Sequence, residues 1–176
     1  LLVISIDTLR RDRFGFLGDS SATPNLDALA LQGVVLSDHV SCANWTSPSM
    51  ICGQTGRTSL QVGFHPVPGD LEQVYDQSFP TQEYFFRDAG FQAVLTTANY
   101  FFSEENGTAL GFQQVVALGY QAAPLTLEAA LGQLLVVADG DTPFYQHVHL
   151  VDPHTPYTAP QEWYGDTTGL SALEHD

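Results

Sequence analysis

The stretch LLVISIDTLRRDRFG, residues 1–15, decides how the rest of the chain is read. Leu1 to Ile6 form a nearly unbroken apolar run, the pattern of a strand covered on both faces in a parallel sheet. The run stops at Asp7. In open α/β sheets the carboxyl ends of the strands collect ligands, so Asp7 presents a hard carboxylate oxygen where a divalent cation could be held. A strand-ending Asp also caps helices and makes Asx turns, and this segment alone does not separate the two roles.

Outward from this strand, apolar runs alternate with helical patterns, which predicts a mostly parallel central sheet sandwiched by helices. TPNLDALALQG reads as a short helix with Thr23 as N-cap, Pro24 at its first position and Gly33 at its end. VVLSDHV, residues 34–40, is a strand candidate. PSMICGQTG reads as a helix opened by Ser47 or Thr46, with Pro48 in its first turn. Ser78 to Ala89 carries a helical pattern closed by Gly90, and FQAVLTT then reads as a buried strand leading to Asn99. Tyr100 to Tyr120 reads as loop. LTLEAALGQLLVVADG is a further helix, and TPFYQHVHLVD a strand stopped by Pro153. No repeat or linker divides the chain, so residues 1–176 are expected to form part of one domain, cut short at both ends.

The 176 residues hold five Arg, no Lys, and twenty Asp plus Glu, for a net charge of −15. Such a balance argues against nucleic-acid binding through phosphates and against a basic membrane-surface role. An anionic ligand would need concentrated local positive charge, which a metal ion supplies most economically. Forty-four per cent apolar residues suffice for a core, and no apolar stretch approaches the ~20 residues needed to span a bilayer. Cys42 and Cys52 flank the Thr46 segment closely enough for a disulfide in an oxidising compartment, with two buried thiols as the alternative.

Two further constellations could carry chemistry. Thr46, just before the Pro48 turn, would lie beside the unpaired N–H groups of a helix N-terminus, a natural anion site. A hydroxyl there could attack phosphorus or sulfur if a metal lowered its pKa, or Thr46, Ser47 and Ser49 could simply cap the helix. In HVHLVDPHTPY, His147 and His149 alternate on a strand and so share a face, while His154 falls on the loop beyond Asp152 and Pro153. A loop histidine past a strand end can protonate a leaving oxygen or bind an anion.

Taken in order, ISIDTLRRDRFG, TPNLDALALQGVVL, the Trp45-Thr46-Ser47-Pro48-Ser49 block followed by Thr55-Gly56-Arg57, and PFYQHVHLVDPHTPY resemble the sulfatase family of the alkaline phosphatase superfamily over almost the whole chain. The resemblance implies a metal-dependent hydrolase or transferase that cleaves sulfate or phosphate esters. It makes Asp7 a metal-binding carboxylate, with Thr46 as metal-bound nucleophile and Thr8 at the position where many members have a second metal-binding Asp. His154 matches the active-site histidine near the leaving group, Asn99 lies where the family often places a polar substrate-binding or metal-proximal residue, and His149 is a further substrate-binding candidate.

The cofactor implied is a divalent ion (Ca, Mg, Mn or Zn). The implied substrate is an anionic ester of a glycan, lipid or small molecule, in a periplasmic, secreted or membrane-anchored exterior setting. Thr46 stands where sulfatases carry a Cys or Ser matured to formylglycine, and Thr cannot be so converted. It resembles instead the branch that works through a phosphothreonine and transfers phosphoglycerol or phosphoethanolamine groups. Met50 replaces the motif's Arg, and Arg57 matches an arginine of structural role. The family's later Asp-His pair has no counterpart before residue 176, so weak metal binding is expected of this segment. Two other readings are a catalytically silent homologue that binds an anionic glycan or lipid head group and a nucleotide-binding domain. The latter lacks a glycine-rich loop after the first strand.

Overall fold

The computed structural model describes residues 1–18, 23–65, 67 and 73–155. The end of the last block, Pro156 and Tyr157, and the polar stretch Ala172 to Asp176 lie outside the described residues. Four strands, β1 (Leu2–Ile6), β2 (Gln92–Thr97), β3 (Gln114–Ala117) and β4 (Phe144–Leu150), form one sheet in the order β1-β4-β2-β3. Every neighbouring pair is parallel. Between them run α1 (Pro24–Ala30), α2 (Thr46–Thr55), α3 (Gln82–Asp88) and α4 (Ala123–Ala138), with two short 3₁₀ turns after β1. The expected α/β architecture is therefore the one observed.

Side-chain alternation along β4 assigns the two faces of the sheet. Gln146 and Val148 face α4, where Gln146 Nε2 donates to the Ala130 carbonyl at 2.8 Å and Thr96 Oγ1 of β2 donates to Gln133 at 2.8 Å. Tyr145, His147 and His149 face the opposite way. There Tyr145 joins Ala93, Leu95, Phe102, Ala109 and Phe112 in the main core cluster, with Met50 of α2 and Phe86 of α3 packed against it. A second cluster of Ile51, Val62, Phe64 and Tyr75 anchors the other side of α2. Gly56, at φ +66°, ends α2 in the left-handed conformation and returns its N–H to the Cys52 carbonyl.

Two expectations are corrected. Residues 34–40 are not a strand: Val34, Leu36 and Val40 are 88, 73 and 78% exposed, and the segment joins no ladder. β-Propensity without a partner strand leaves the backbone groups to water. Conversely, the stretch read as loop from Tyr100 to Tyr120 contains β3, whose four residues on the sheet edge are too few to show a period. Pro80 delays α3 to Gln82, and Pro124 brings α4 forward to Ala123, both shifts following from proline's restraints on its neighbours. The strand that carries His147 and His149 forms as expected.

Candidate active site

Asp7, Thr46, Asn99 and His149 converge at the carboxyl end of the sheet. Asp7 continues β1 by one rung, its N–H donating to the Leu150 carbonyl at 2.8 Å. Thr46 is the first residue of α2 rather than lying just outside it, and Trp45 is the N-cap. The Thr46 hydroxyl donates to Asp7 Oδ2 at 2.9 Å. Asn99, just beyond β2, donates Nδ2–H to the same oxygen at 2.6 Å and lies 3.1 Å from Thr46 Oγ1. Its own Oδ1 accepts the Phe101 N–H at 2.8 Å, which fixes the amide with its hydrogens toward Asp7 and Thr46. His149 Nε2 stands 3.6 Å from Asp7 Oδ2. Thr46, Asn99 and His149 are buried, whereas Asp7 is partly open.

A cleft of about 380 Å³ opens over this group. Thr8, Arg10, Trp45 and Met50 are among its lining residues. Thr8 sits on the exposed rim at φ +56°, a left-handed conformation that costs a β-branched residue on the order of 1–3 kcal/mol. Arg10 is held by Asp12 through two hydrogen bonds of 2.9 and 2.7 Å, so its charge is largely matched before any ligand arrives. Met50 lines the cleft, and Arg57, which does not, is stacked 4.7 Å over Phe79.

His154 does not line this cleft. Its Nδ1 contacts the Thr155 carbonyl at 2.7 Å and its ring lies 5.6 Å from that of Tyr120, though its charge is felt at Asp7. Burial would raise the Asp7 pKa. The neighbouring His149, the hydrogen bond from Thr46 and the more distant His154 outweigh it, holding the carboxyl below its usual range. Burial, with His149 adding to it, pushes His147 down to about 3, so this ring is neutral. Cys42 and Cys52 are disulfide-bonded, with Cα atoms 6.3 Å apart, tying the loop before Thr46 to the body of α2.

Sequence reading passed over Ser5, whose hydroxyl bridges His147 and His149. It lies two residues before Asp7, on the same strand face, and that alternation was the available signal. Trp45 was noticed only as part of a motif. It forms a cleft wall, braced edge-on by Phe101 at 5.6 Å.

A model of the sulfatase family matches residues 1–172. The chain belongs to the sulfatase family. No curated protein sequence shows significant similarity to it, but solved structures share its fold. The putative sulfatase YidJ from Bacteroides fragilis superposes with a TM-score of 0.78 at 17% identity, covering 99% of this chain and 48% of that one. The protein BT4656, in complex with its substrate D-glucosamine-2-N,6-O-disulfate, gives 0.70 at 19% identity over 85% of this chain and 33% of that one. The C-terminal periplasmic domain of EcEptC from Escherichia coli, in complex with Zn, gives 0.70 at 17% identity over 98 and 51%. The chain thus spans a third to a half of the length of these sulfatase-fold structures.

The site can be tested for the metal that the sulfatase family implies. Asp7 offers a hard anionic oxygen and Thr46 a hydroxyl, donors suited to a divalent cation. All three of the contacts above fall on Asp7 Oδ2, so Oδ1 is spared by them. Asn99 turns N–H, not oxygen, toward Asp7 and Thr46 and therefore braces both rather than offering an oxygen to a metal. Among the described residues no three His, Cys, Asp or Glu side chains gather into a metal cluster, and of the residues lining the cleft Asp7 alone is a carboxylate.

Proposed function

We propose that the cleft is the active site of a metal-dependent hydrolase or transferase acting on phosphate or sulfate esters, with Thr46 as nucleophile. The observation that carries this reading is the Thr46 hydroxyl, buried at the first position of α2 and bonded at 2.9 Å to Asp7. A divalent ion (Ca, Mg, Mn or Zn) held by Asp7 and Thr46, with Thr8 beside them, would supply Lewis acidity and local positive charge for an anionic ester.

The side chains divide the remaining work. Asp7 accepts the Thr46 proton while Asn99 fixes both groups, which orients Oγ1 for attack and limits its motion. The backbone N–H groups at the start of α2 face the developing charge on the equatorial oxygens. Thr46 Oγ1 bonds to phosphorus or sulfur as the ester oxygen departs, and that oxygen takes a proton from His154 once the 151–155 loop turns it to the cleft. Water or an acceptor alcohol then displaces the group and returns Thr46 to its hydroxyl form. His149 and Asn99 serve the bound anion from below. Thr46 lacks the chemistry of an aldehyde hydrate, which favours phosphoryl over sulfuryl transfer.

The substrate class is an anionic ester of a glycan, lipid or small molecule. The disulfide supports an oxidising compartment, periplasmic or extracellular. Met50 in the cleft favours one second reading, a silent homologue that holds an anionic glycan or lipid head group without turning it over.

The test is turnover of aryl phosphate and aryl sulfate esters by the full-length protein, with each divalent ion and after chelation, for wild type and Thr46→Ala. Loss of activity in the variant and on chelation, with phosphate trapped on Thr46 by mass spectrometry, is the expected result. Equal activity in Thr46→Ala refutes the nucleophile, and tight ligand binding without turnover selects the second reading.

A further inference from the structure

At the cleft wall, which Ser5 and His149 help to line, Ser5 Oγ lies 2.8 Å from His147 Nε2 and 2.7 Å from His149 Nδ1. Parallel register sets this up: Ser5 is the Cα partner of His149, and Val3 that of His147, so the hydroxyl stands between two imidazoles on one face. Both rings are buried, His147 at 5% and His149 at 1% exposure, with the Phe102 ring edge-on to both at 5.1 and 5.6 Å. Neither His147 Nδ1 nor His149 Nε2 has a hydrogen-bond partner.

A hydroxyl has one proton, so Ser5 can donate to only one ring and must accept from the other. With both rings neutral, as at alkaline pH, this leaves two arrangements. In one, His149 Nδ1–H donates to Ser5 and Ser5 donates to His147. His149 then turns the Nε2 lone pair toward the Asp7 carboxylate, and His147 buries an unpaired N–H among aromatic rings. In the other, His147 Nε2–H donates to Ser5 and Ser5 donates to His149 Nδ1, so that His149 Nε2–H points at Asp7 Oδ2, 3.6 Å away. The second replaces a lone pair facing an anion with an attractive contact. It also leaves an unpaired acceptor rather than an unpaired donor at His147, the milder of the two defects.

We propose that Ser5 is a positioning residue that runs a one-way hydrogen-bond chain, His147 to Ser5 to His149, and thereby fixes His149 as a donor toward Asp7. Bonds that all point one way polarise and strengthen one another. The chain turns an N–H toward Asp7 Oδ2, beside the hydrogen bonds that oxygen accepts from Thr46 and Asn99. Its consequence for catalysis rests on the role proposed for Asp7 and Thr46, but its existence does not.

Nitrogen-15 NMR of the imidazole rings, recorded on the wild-type protein at alkaline pH, reads each protonated nitrogen directly and needs no turnover. The expected pattern is a proton on Nε2 of both rings, with His149 Nδ1 shifted as a hydrogen-bond acceptor. In Ser5→Ala that acceptor shift is lost and the His147 Nε2–H exchanges with solvent at least about fivefold faster, the loss of one ordinary hydrogen bond. Ser5→Thr restores both signatures. A proton on His149 Nδ1 in the wild type overturns the proposal, as does a Ser5→Ala spectrum with the acceptor shift unchanged. Because no substrate or metal enters the measurement, its failure is distinct from failure of the Thr46 assay.

Discussion

Replacing Glu83 by Gln should stabilise the protein at neutral pH and leave it unchanged in acid. Glu83, the second residue of α3, is fully buried. Gln54 Nε2 of α2 donates to its Oε1 at 3.2 Å, while its Oε2, Thr81 Oγ1 and Gln54 Oε1 all lack partners. Gly111 closes the pocket so tightly that a Cβ there would stand 2.7 Å from Thr81 Oγ1 and 3.3 Å from Glu83 Oε2. Burial raises the Glu83 pKa above 4.5, and the Gln54 amide and the other polar groups beside the carboxyl offset only part of that rise. The native state therefore holds this proton more tightly than the unfolded chain does. Stability falls as pH climbs from 4.5 through the higher native value, because the unfolded state binds fewer protons across that window.

Gln in its place carries no charge and supplies an N–H where Oε2 now lacks a donor, which offsets one unsatisfied buried group, about 1–3 kcal/mol. Urea melts of wild type and Glu83→Gln at a series of pH values measure the difference, with matched m-values as the control for an unchanged fold. The curves should coincide below pH about 4.5 and separate above it. A variant destabilised equally at every pH, or one that keeps the wild-type pH slope, refutes the argument.

Two other substitutions probe how the site is supported. Phe102→Ala removes a fully buried ring that touches Phe112, His147 and His149, and should cost about 3–5 kcal/mol, read as a lowered urea midpoint. Cys42→Ser with Cys52→Ser releases the loop beside Thr46 and should cost about 2–4 kcal/mol, and reductant should lower the wild-type midpoint by the same amount while leaving the double variant unmoved.

The parts of this molecule that sequence reading reached are those with local signatures. β1 and β4 are long apolar runs ended by Asp7 and Pro153, and α2 announces itself by Pro48 and Gly56. Residues 34–40 have the composition of a strand, but a strand is made by its neighbour, and composition carries no record of the neighbour's absence. β3 failed for the complementary reason: its partner β2 defines it more than its own four residues do. Ser5 escaped notice because its importance lies in two imidazoles more than 140 positions away, and only the register of β1 on β4 brings them within 3 Å.

That register also explains why the site exists at all. Asp7 comes from the end of β1, Thr46 from the start of α2, Asn99 from the turn after β2 and His149 from β4, segments spread over most of the described chain. In a parallel sheet all carboxyl ends lie on one edge, so the order β1-β4-β2 gathers three of these residues by topology alone. α2 must then be pinned so that its first residue meets them. Ile51 in the second core cluster, the Gln54 bond to Glu83 and the disulfide through Cys52 all act on the body of the helix, one to two turns from Thr46. A helix held along its length has little freedom to move its first residue away from Asp7. Loosening any of those three restraints should therefore disturb the Thr46 to Asp7 contact more than it disturbs the sheet, whose core around Leu95, Phe102 and Tyr145 draws only Met50 from α2.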